Sequence, residues 1–370
     1  MNDKVDILLV SDLHLGIKDD FFINNDDRVS AFNRIMDIAG KHDVLLIGGD
    51  FMDMESISEG DFNTVAESFQ KLKESGKYIF YTPGFSELDS HGDVDEKLKK
   101  LNIDGIFCEK DFVEPHCVSK GEMNLFVYGF PASSNFNFSK ISKINKEENK
   151  EETNGFHLAL LHIDFAKERQ KKDFDINVFD FFALGYNHNF KMYKLFDKII
   201  AAHPGSPQAL NLNEIGDRYA LSIRISNTKS LKLKHVKVNT KRIVDEIVDC
   251  TEYIDTDALV NKTKSKIDNN DYVKLHLTGK RSFPLKTDIL EELNDNALGF
   301  CIIDDSSPSV EALQLEAIGE NTIKCEFLEL LYDKINLGAV DEEYASNILR
   351  YVDEHKVKEL GEWLCDISEH

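Results

Sequence analysis

The chain has 370 residues, 42% hydrophobic and 30% charged, enough for two domains or for one large domain with a cap. Its 44 basic and 67 acidic side chains leave a formal charge of −23. That excludes a simple cationic sleeve for nucleic acid or acidic lipid, but not nucleic acid held through metal ions or a local basic strip. No run of about 18 apolar residues occurs, so no membrane span and no membrane partner is expected. The opening apolar run reaches Asp12 at once and has no signal-peptide core. Six cysteines (Cys108, Cys117, Cys250, Cys301, Cys325, Cys365) form no CxxC pair and fit the reduced thiols of a cytoplasmic protein.

The first third alternates strand and helix. Residues 5–10 form a short buried strand, and a helix over 28–40 places Val29, Phe32, Ile35, Met36 and Ala39 at helical spacing. A strand over 44–47 runs into Gly48-Gly49-Asp50, and a helix over 62–73 leads to a strand over 78–81 and the turn Pro83-Gly84. This order predicts a parallel or mixed α/β sheet, with chemistry collected at the carboxyl ends of its strands. Residues 142–154 are almost all Lys, Glu, Asn and Thr and read as a solvated loop or exposed helix end.

Further strands are predicted over 158–161, 181–184, 199–202, 219–225 and 231–238. The character changes near Lys241, giving domains of 1–240 and 241–370. The second reads as a smaller α/β domain that caps the first or docks a partner: helix 257–267, strand 272–277, helix 285–293, strand 298–303, then a helical tail. Residues 304–370 carry 17 acidic and 5 basic side chains, more than half of the chain's excess charge.

Asp12 with His14, Asp50, His162 and His188 each end a separate apolar strand. A carboxylate costs several kcal/mol to bury unless it is paired or metal-bound, so the end of a buried strand is a costly place for one. Singly, each has a plain alternative: Asp12 and Asp50 as helix caps, His162 and His188 as satisfied core histidines. Together they offer mixed oxygen and nitrogen ligation, which suits Mn, Fe or Zn better than Ca or Mg. One central Asp could bridge two ions about 4 Å apart, a clamp for in-line phosphoryl displacement.

Ser11-Asp12-Leu13-His14-Leu15-Gly16, Gly49-Asp50, Leu161-His162, Gly185-Tyr186-Asn187-His188 and Pro204-Gly205-Ser206-Pro207 occur in this order. As a set they resemble the calcineurin-like metallophosphoesterases over about residues 4–225. More narrowly the set is similar to the DNA-repair nuclease branch: SbcD, YhaO-type proteins and the meiotic-recombination nuclease. The resemblance implies an α/β four-layer sandwich of mixed sheets flanked by helices. It also implies one or two Mn2+ ions (Fe, Zn or Mg as alternatives), DNA as substrate, an SbcC-like coiled-coil ATPase as partner, and a homodimer formed through helices of the first domain.

By the resemblance, Asp12, His14, Asp50 and His188 hold the first metal, while Asp50 and His162 belong to the second, with catalytic roles for both. Other motif positions depart. Phe85 stands where the family has a ligand Asn, Ser86 where it has a histidine placed to protonate the leaving alkoxide, and Tyr186 where it has a ligand His. Phe85 has no donor atom, and Ser86 cannot serve as a near-neutral general acid, a role worth about 10²–10⁴ in rate. Glu87 is a candidate substitute carboxylate. His203 would pack at the edge of the site, and His91 reads as a surface loop residue.

Lys232, Lys234 and Lys237 lie in an acid-free basic stretch. It fits the solvated face of an edge strand first and a phosphate-contact strip second. Three functions compete: a metal-dependent DNA nuclease subunit for repair or genome defence, a catalytically degenerate structural subunit of a DNA-processing complex, and a single-metal phosphoesterase acting on a small phosphate ester.

Overall fold

The computed structural model describes residues 4–18, 23–108, 114–133, 155–172, 174–175, 177–285, 293, 297–316, 323–341 and 344–345. The chain divides into two units, 1–242 and 243–370.

In the first unit, β1 (Lys4–Val10), β2 (Val44–Ile47), β3 (Tyr78–Tyr81) and β4 (Gly105–Ile106) are parallel. A second sheet begins with β5 (His116–Lys120), β6 (Met123–Phe130), β7 (Phe156–His162) and β8 (Phe181–Gly185). It ends with β9 (Lys191–Leu195) and β10 (Lys198–His203), in the order β5-β6-β7-β8-β10-β9. The chain then returns to the first sheet through β11 (Tyr219–Ser226) and β12 (Leu231–Lys237), antiparallel additions that make its order β12-β11-β1-β2-β3-β4.

The fold is an α/β sandwich of two mixed six-stranded sheets. Strand side chains alternate between faces, so a strand covered on both sides reads as an unbroken apolar run. Ile7, Leu9, Val44, Leu46 and Phe80 of one sheet pack face to face with Leu125, Val127, Leu158, Leu160 and Phe181 of the other. Leu8, Val10, Leu45 and Ile47 point the opposite way, onto Phe32 and Ile35 of α1 (Asn25–Ala39) and Val65 and Phe69 of α2 (Glu59–Glu74). The outer face of the second sheet, with Leu161, Phe182 and Leu184, is covered by Phe165 of α3 (Phe165–Glu168) and by Val178 and Phe179.

Both long helices start about three residues earlier than periodicity predicts, because their caps are polar. Asn24 and Asp27 exchange side-chain and backbone hydrogen bonds in a capping box on α1. The Ser58 hydroxyl accepts from the Asp61 amide at the start of α2. β5 and β9 have largely exposed, partly polar sequences, and neither they nor the mostly buried β6 were among the expected strands.

In the second unit, β13 (Arg242–Asp249) and α4 (Thr256–Lys264) precede β14 (Asp271–Thr278), β15 (Lys280–Arg281), β16 (Gly299–Asp304) and β17 (Ser307–Pro308). β14 is central in the order β13-β14-β16, and β15 pairs β17. Val248, Leu259, Leu275 and Leu277 form its core. α5 (Val310–Glu316) and α6 (Ile323–Asn336) follow. The charged run at 142–154, nearly all of the helix expected over 285–293, and about half of the tail, including residues 346–370, lie outside the described residues. Among the described residues no helix is long and apolar enough to cross a membrane.

Candidate metal centre

The hydrogen-bond ladder of β1 and β2 runs on past the ends of both strands. The Asp12 amide donates to Gly49 O at 2.9 Å and the His14 amide to Asp50 O at 3.0 Å. To continue the ladder while turning their side chains toward one point, Asp12, His14 and Asp50 adopt positive φ of 56°, 50° and 47°. Tyr186, on the loop after β8, is at 89°. Four of the six described non-glycine residues with positive φ therefore surround this one locus. Such backbone costs about 1–3 kcal/mol each and collects where function demands it.

The two sheets meet here backbone to backbone. A Cβ on Gly185 would lie 1.8 Å from Gly48 O, and one on Gly49 would lie 2.6 Å from the Gly84 amide. Glycine is required at both positions for the loops to close around His162, which ends β7 and is fully buried. His162 Nδ1 hydrogen-bonds Gly48 O at 2.7 Å, so Nδ1 carries a hydrogen and, once the ring is neutral, the lone pair sits on Nε2, toward the centre.

Two sets of ligand atoms converge: Asp12, His14 and His188 in one, Asp12, Asp50 and His162 in the other, with the atoms of each set within 4.8 Å of one another. Asp12 belongs to both sets. Asp50 Oδ2 stands between them, 3.1 Å from His162 Nε2 and 3.9 Å from His14 Nε2. Asp12 Oδ2, His14 Nε2 and His162 Nε2 are buried without a hydrogen-bond partner, and the short His162–Asp50 approach lacks hydrogen-bond alignment. An orphaned buried polar atom costs about 1–3 kcal/mol, and a divalent cation in each set would satisfy the orphans it contains: Asp12 and His14 in one, Asp12 and His162 in the other. Carboxylate oxygen with imidazole nitrogen suits Mn, Fe or Zn. The residues present fit such an ion.

The local field agrees. Burial pushes the Asp12 carboxyl up, against the pull of His162. Burial also raises Asp50, but the neighbouring His162 and His14 outweigh it and hold that carboxyl well below the usual range. Burial opposes an imidazolium at His162, yet Asp50 outweighs it and lifts the ring to about 9. Burial lowers His14 despite Asp50 and Asp12 beside it.

His188 has a partner that sequence reasoning missed. Its Nδ1 hydrogen-bonds Glu214 Oε1 at 2.9 Å, which leaves Nε2 as the nitrogen available to the centre. Glu214 is buried and held by the Ser206 hydroxyl at 2.5 Å, the Asn211 amide at 2.8 Å and the Leu210 amide at 3.1 Å. Arg218 braces the same loops through His188 O and Ser206. Ser206 of the Pro204-Gly205-Ser206-Pro207 turn thus acts on the centre at one remove, through Glu214.

Glu87 is not a substitute ligand. It is fully buried, and its two oxygens accept from the amides of Asp50, Phe51, Met52 and Gly84 at 2.7–2.9 Å and from Tyr81 Oη at 2.6 Å. It clamps the loop after β2 to the loop after β3, and no lone pair faces the ligand atoms. Burial and Asp50 push its carboxyl up to about 7 against the pull of those donors.

Ser86 donates from its amide and hydroxyl to Asp50 Oδ1 at 2.8 and 3.0 Å, turning Oδ2 toward the histidines. Phe85 and Tyr186 stand edge-on to His162, with ring centroids 5.9 and 5.7 Å away. His203 ends β10, fully buried, with Nδ1 on Gly185 O at 2.8 Å; burial lowers its ring to about 4 and keeps it neutral. His91 is exposed.

The lysine strip does not converge on the centre. Lys232, Lys234 and Lys237 lie exposed on β12, the edge strand. Lys237, at the end of β12 nearest the centre, pairs with Asp217 at 2.6 Å. Lys232 lies level with Arg224 and Asp6, at the far end of the sheet. Five steps along the strand separate the two, about 17 Å.

Fold and site together define a two-sheet α/β sandwich with a candidate two-position cation site at the carboxyl ends of β1, β2, β7 and β8. No family model matches the chain, and no curated protein does. Among solved structures, a protein of unknown function from Aquifex aeolicus is similar at 14% identity over 43% of this chain and 81% of that one. Its TM-score of 0.25 is too low to bear on fold or function.

Proposed function

We propose that the chain is a metal-dependent phosphoesterase of the calcineurin-like type, hydrolysing phosphodiesters, and that its lineage is the SbcD-like nuclease branch. One observation carries this reading: two sets of Asp and His ligand atoms, three of them orphaned and buried, face one another at the ends of four strands. A divalent cation held there supplies Lewis acidity and charge neutralisation for a phosphate ester. Asp12, His14 and His188 would hold a cation in the first position, and Asp12, Asp50 and His162 one in the second. Gly48 O fixes the His162 tautomer, Glu214 fixes that of His188, and Ser86 orients Asp50.

DNA as substrate, an SbcC-like ATPase as partner, Mn2+ as the loaded metal and a homodimer are supported by the sequence motifs alone. A cytoplasmic setting fits Cys117, Cys250 and Cys301, none of which forms a disulfide.

A second reading, a structural subunit that has lost catalysis, is favoured by position 86, where a hydroxyl already bonded to Asp50 Oδ1 offers no acid for a leaving alkoxide. Incubating the purified chain with Mn2+ and either bis(p-nitrophenyl) phosphate or single-stranded DNA, beside Asp50→Ala, separates the two. Cleavage lost in the variant supports the enzyme. Equal traces in both proteins contradict it, and cleavage of the small diester alone favours a phosphoesterase outside the nuclease branch.

A further inference from the structure

A cleft of about 580 Å³ opens beside Asp50 and His188, within the range of small-molecule sites. Its lining contains no lysine or arginine. Apart from a cation held by the Asp and His groups, nothing there suits a run of phosphates, which requires cations along its path. Apart from Asp50, His188 and Glu214, what lines it is neutral: two aromatic rings and four asparagines.

The rings are Phe85 and Tyr186, 45% and 44% exposed, each edge-on to the buried His162. Both rings line the cleft, and that exposed surface is what a flat ligand could cover. The asparagines are partly committed. Asn211 gives its amide to Glu214 and its oxygen to the Asn213 backbone. Asn187 Oδ1 accepts from the Asn189 amide, and Asn189 Oδ1 accepts from Arg218. Among the described residues no hydrogen bond engages Nδ2 of Asn187 or Asn189, or the side chain of Asn213. These groups offer amide donors and an acceptor next to flat apolar faces. A neutral heterocycle with both donors and acceptors on its edge matches that combination.

We infer that this cleft is a subsite for an unpaired nucleobase carried on the phosphate ester, with Phe85 and Tyr186 as stacking walls and Asn187, Asn189 and Asn213 reading the base edge. The subsite rests on the cation reading above, because the phosphate next to the base must be met at the Asp and His centre. A base within a duplex has its faces covered and its pairing edge occupied, so the subsite selects single-stranded ends or free nucleotides.

The test is calorimetric binding to the full chain in Mn2+, with AMP, ribose 5-phosphate, a single-stranded oligonucleotide and its blunt duplex as probes. AMP is expected to bind about fivefold to 100-fold more tightly than ribose 5-phosphate, the usual range for one base on an aromatic platform. Phe85→Ala and Tyr186→Ala should each remove most of that preference, with ribose 5-phosphate affinity and Mn2+ stoichiometry unchanged. Tyr186→Phe should keep it. Equal affinity for AMP and ribose 5-phosphate, or variants that weaken both alike, overturns the base subsite and leaves the cation centre standing. Failure to bind Mn2+ or either phosphate overturns both. AMP bound without the oligonucleotide assigns the base to a free nucleotide, and the single strand bound above the duplex assigns it to a strand end. Binding of both single strand and duplex, with equal affinity, overturns the proposal.

Discussion

Glu214 Oε1 lies 2.9 Å from His188 Nδ1, a buried carboxylate on a half-buried imidazole. The contact lifts the His188 ring above its ordinary value and lowers Glu214 against the effect of burial. It also decides which nitrogen of His188 faces Asp12 and His14. Carboxylates in this position are typically worth about 10–100-fold in metal affinity. Glu214→Ala is expected to weaken Mn2+ binding by that factor, read by titration, while Asp217→Ala on the same loop leaves it within about twofold.

Glu87→Ala removes five hydrogen bonds from a fully buried carboxyl and strands four backbone amides. Each orphaned donor costs about 1–3 kcal/mol before relaxation or water entry. Urea unfolding should show a loss of at least about 3 kcal/mol. If Glu87 were instead a ligand, stability without metal would hardly change and Mn2+ affinity alone would fall.

Much of the centre was legible because a short apolar run that ends in Asp or His is a local pattern. Asp12, His14, Asp50, His162 and His188 all carry that signature, and the structure brings their ligand atoms together. The supports were not legible. Glu87 meets amides 35–37 positions earlier in the chain, and nothing in Phe85-Ser86-Glu87 tells a ligand carboxylate from a clamp. Glu214 sits 26 residues from His188 in an unremarkable Asn-rich loop. The one available signal was its place just after the Pro204–Pro207 turn. The α/β class followed from the strand and helix order, while β5 and β9 escaped because polar residues interrupt their short apolar runs.

The coupling of Asp50 and His162 gives the metal-free protein a pH dependence of defined sign. His162 is held at about 9, above its unfolded value of about 6.5. Its contribution is therefore complete below about pH 6.5 and is lost as pH rises through about 9. Thermal unfolding in EDTA should show stability falling across that window in the wild type and a flatter profile in His162→Gln. Mn2+ needs the neutral ring, so its affinity should rise over the same window with release of a proton. Affinity independent of pH would contradict the assignment of His162.

Restoring donors at the aromatic wall should add a second cation. The triple variant Phe85→Asn, Ser86→His and Tyr186→His is expected to raise Mn2+ stoichiometry above that of the wild type, read by metal analysis after dialysis. An unchanged count would mean that Asp12, Asp50 and His162 already define the second position.

The convergence of Asp12, His14, Asp50 and His188 on a shared cation is tested most directly by Mn2+ titration of the metal-stripped chain, followed by electron paramagnetic resonance. The wild type should take up at least one tightly held Mn2+ per chain, with Asp12→Ala and His14→Ala each losing it while remaining folded. Wild-type protein that holds no Mn2+, Fe or Zn, or variants that bind as the wild type does, would contradict the account.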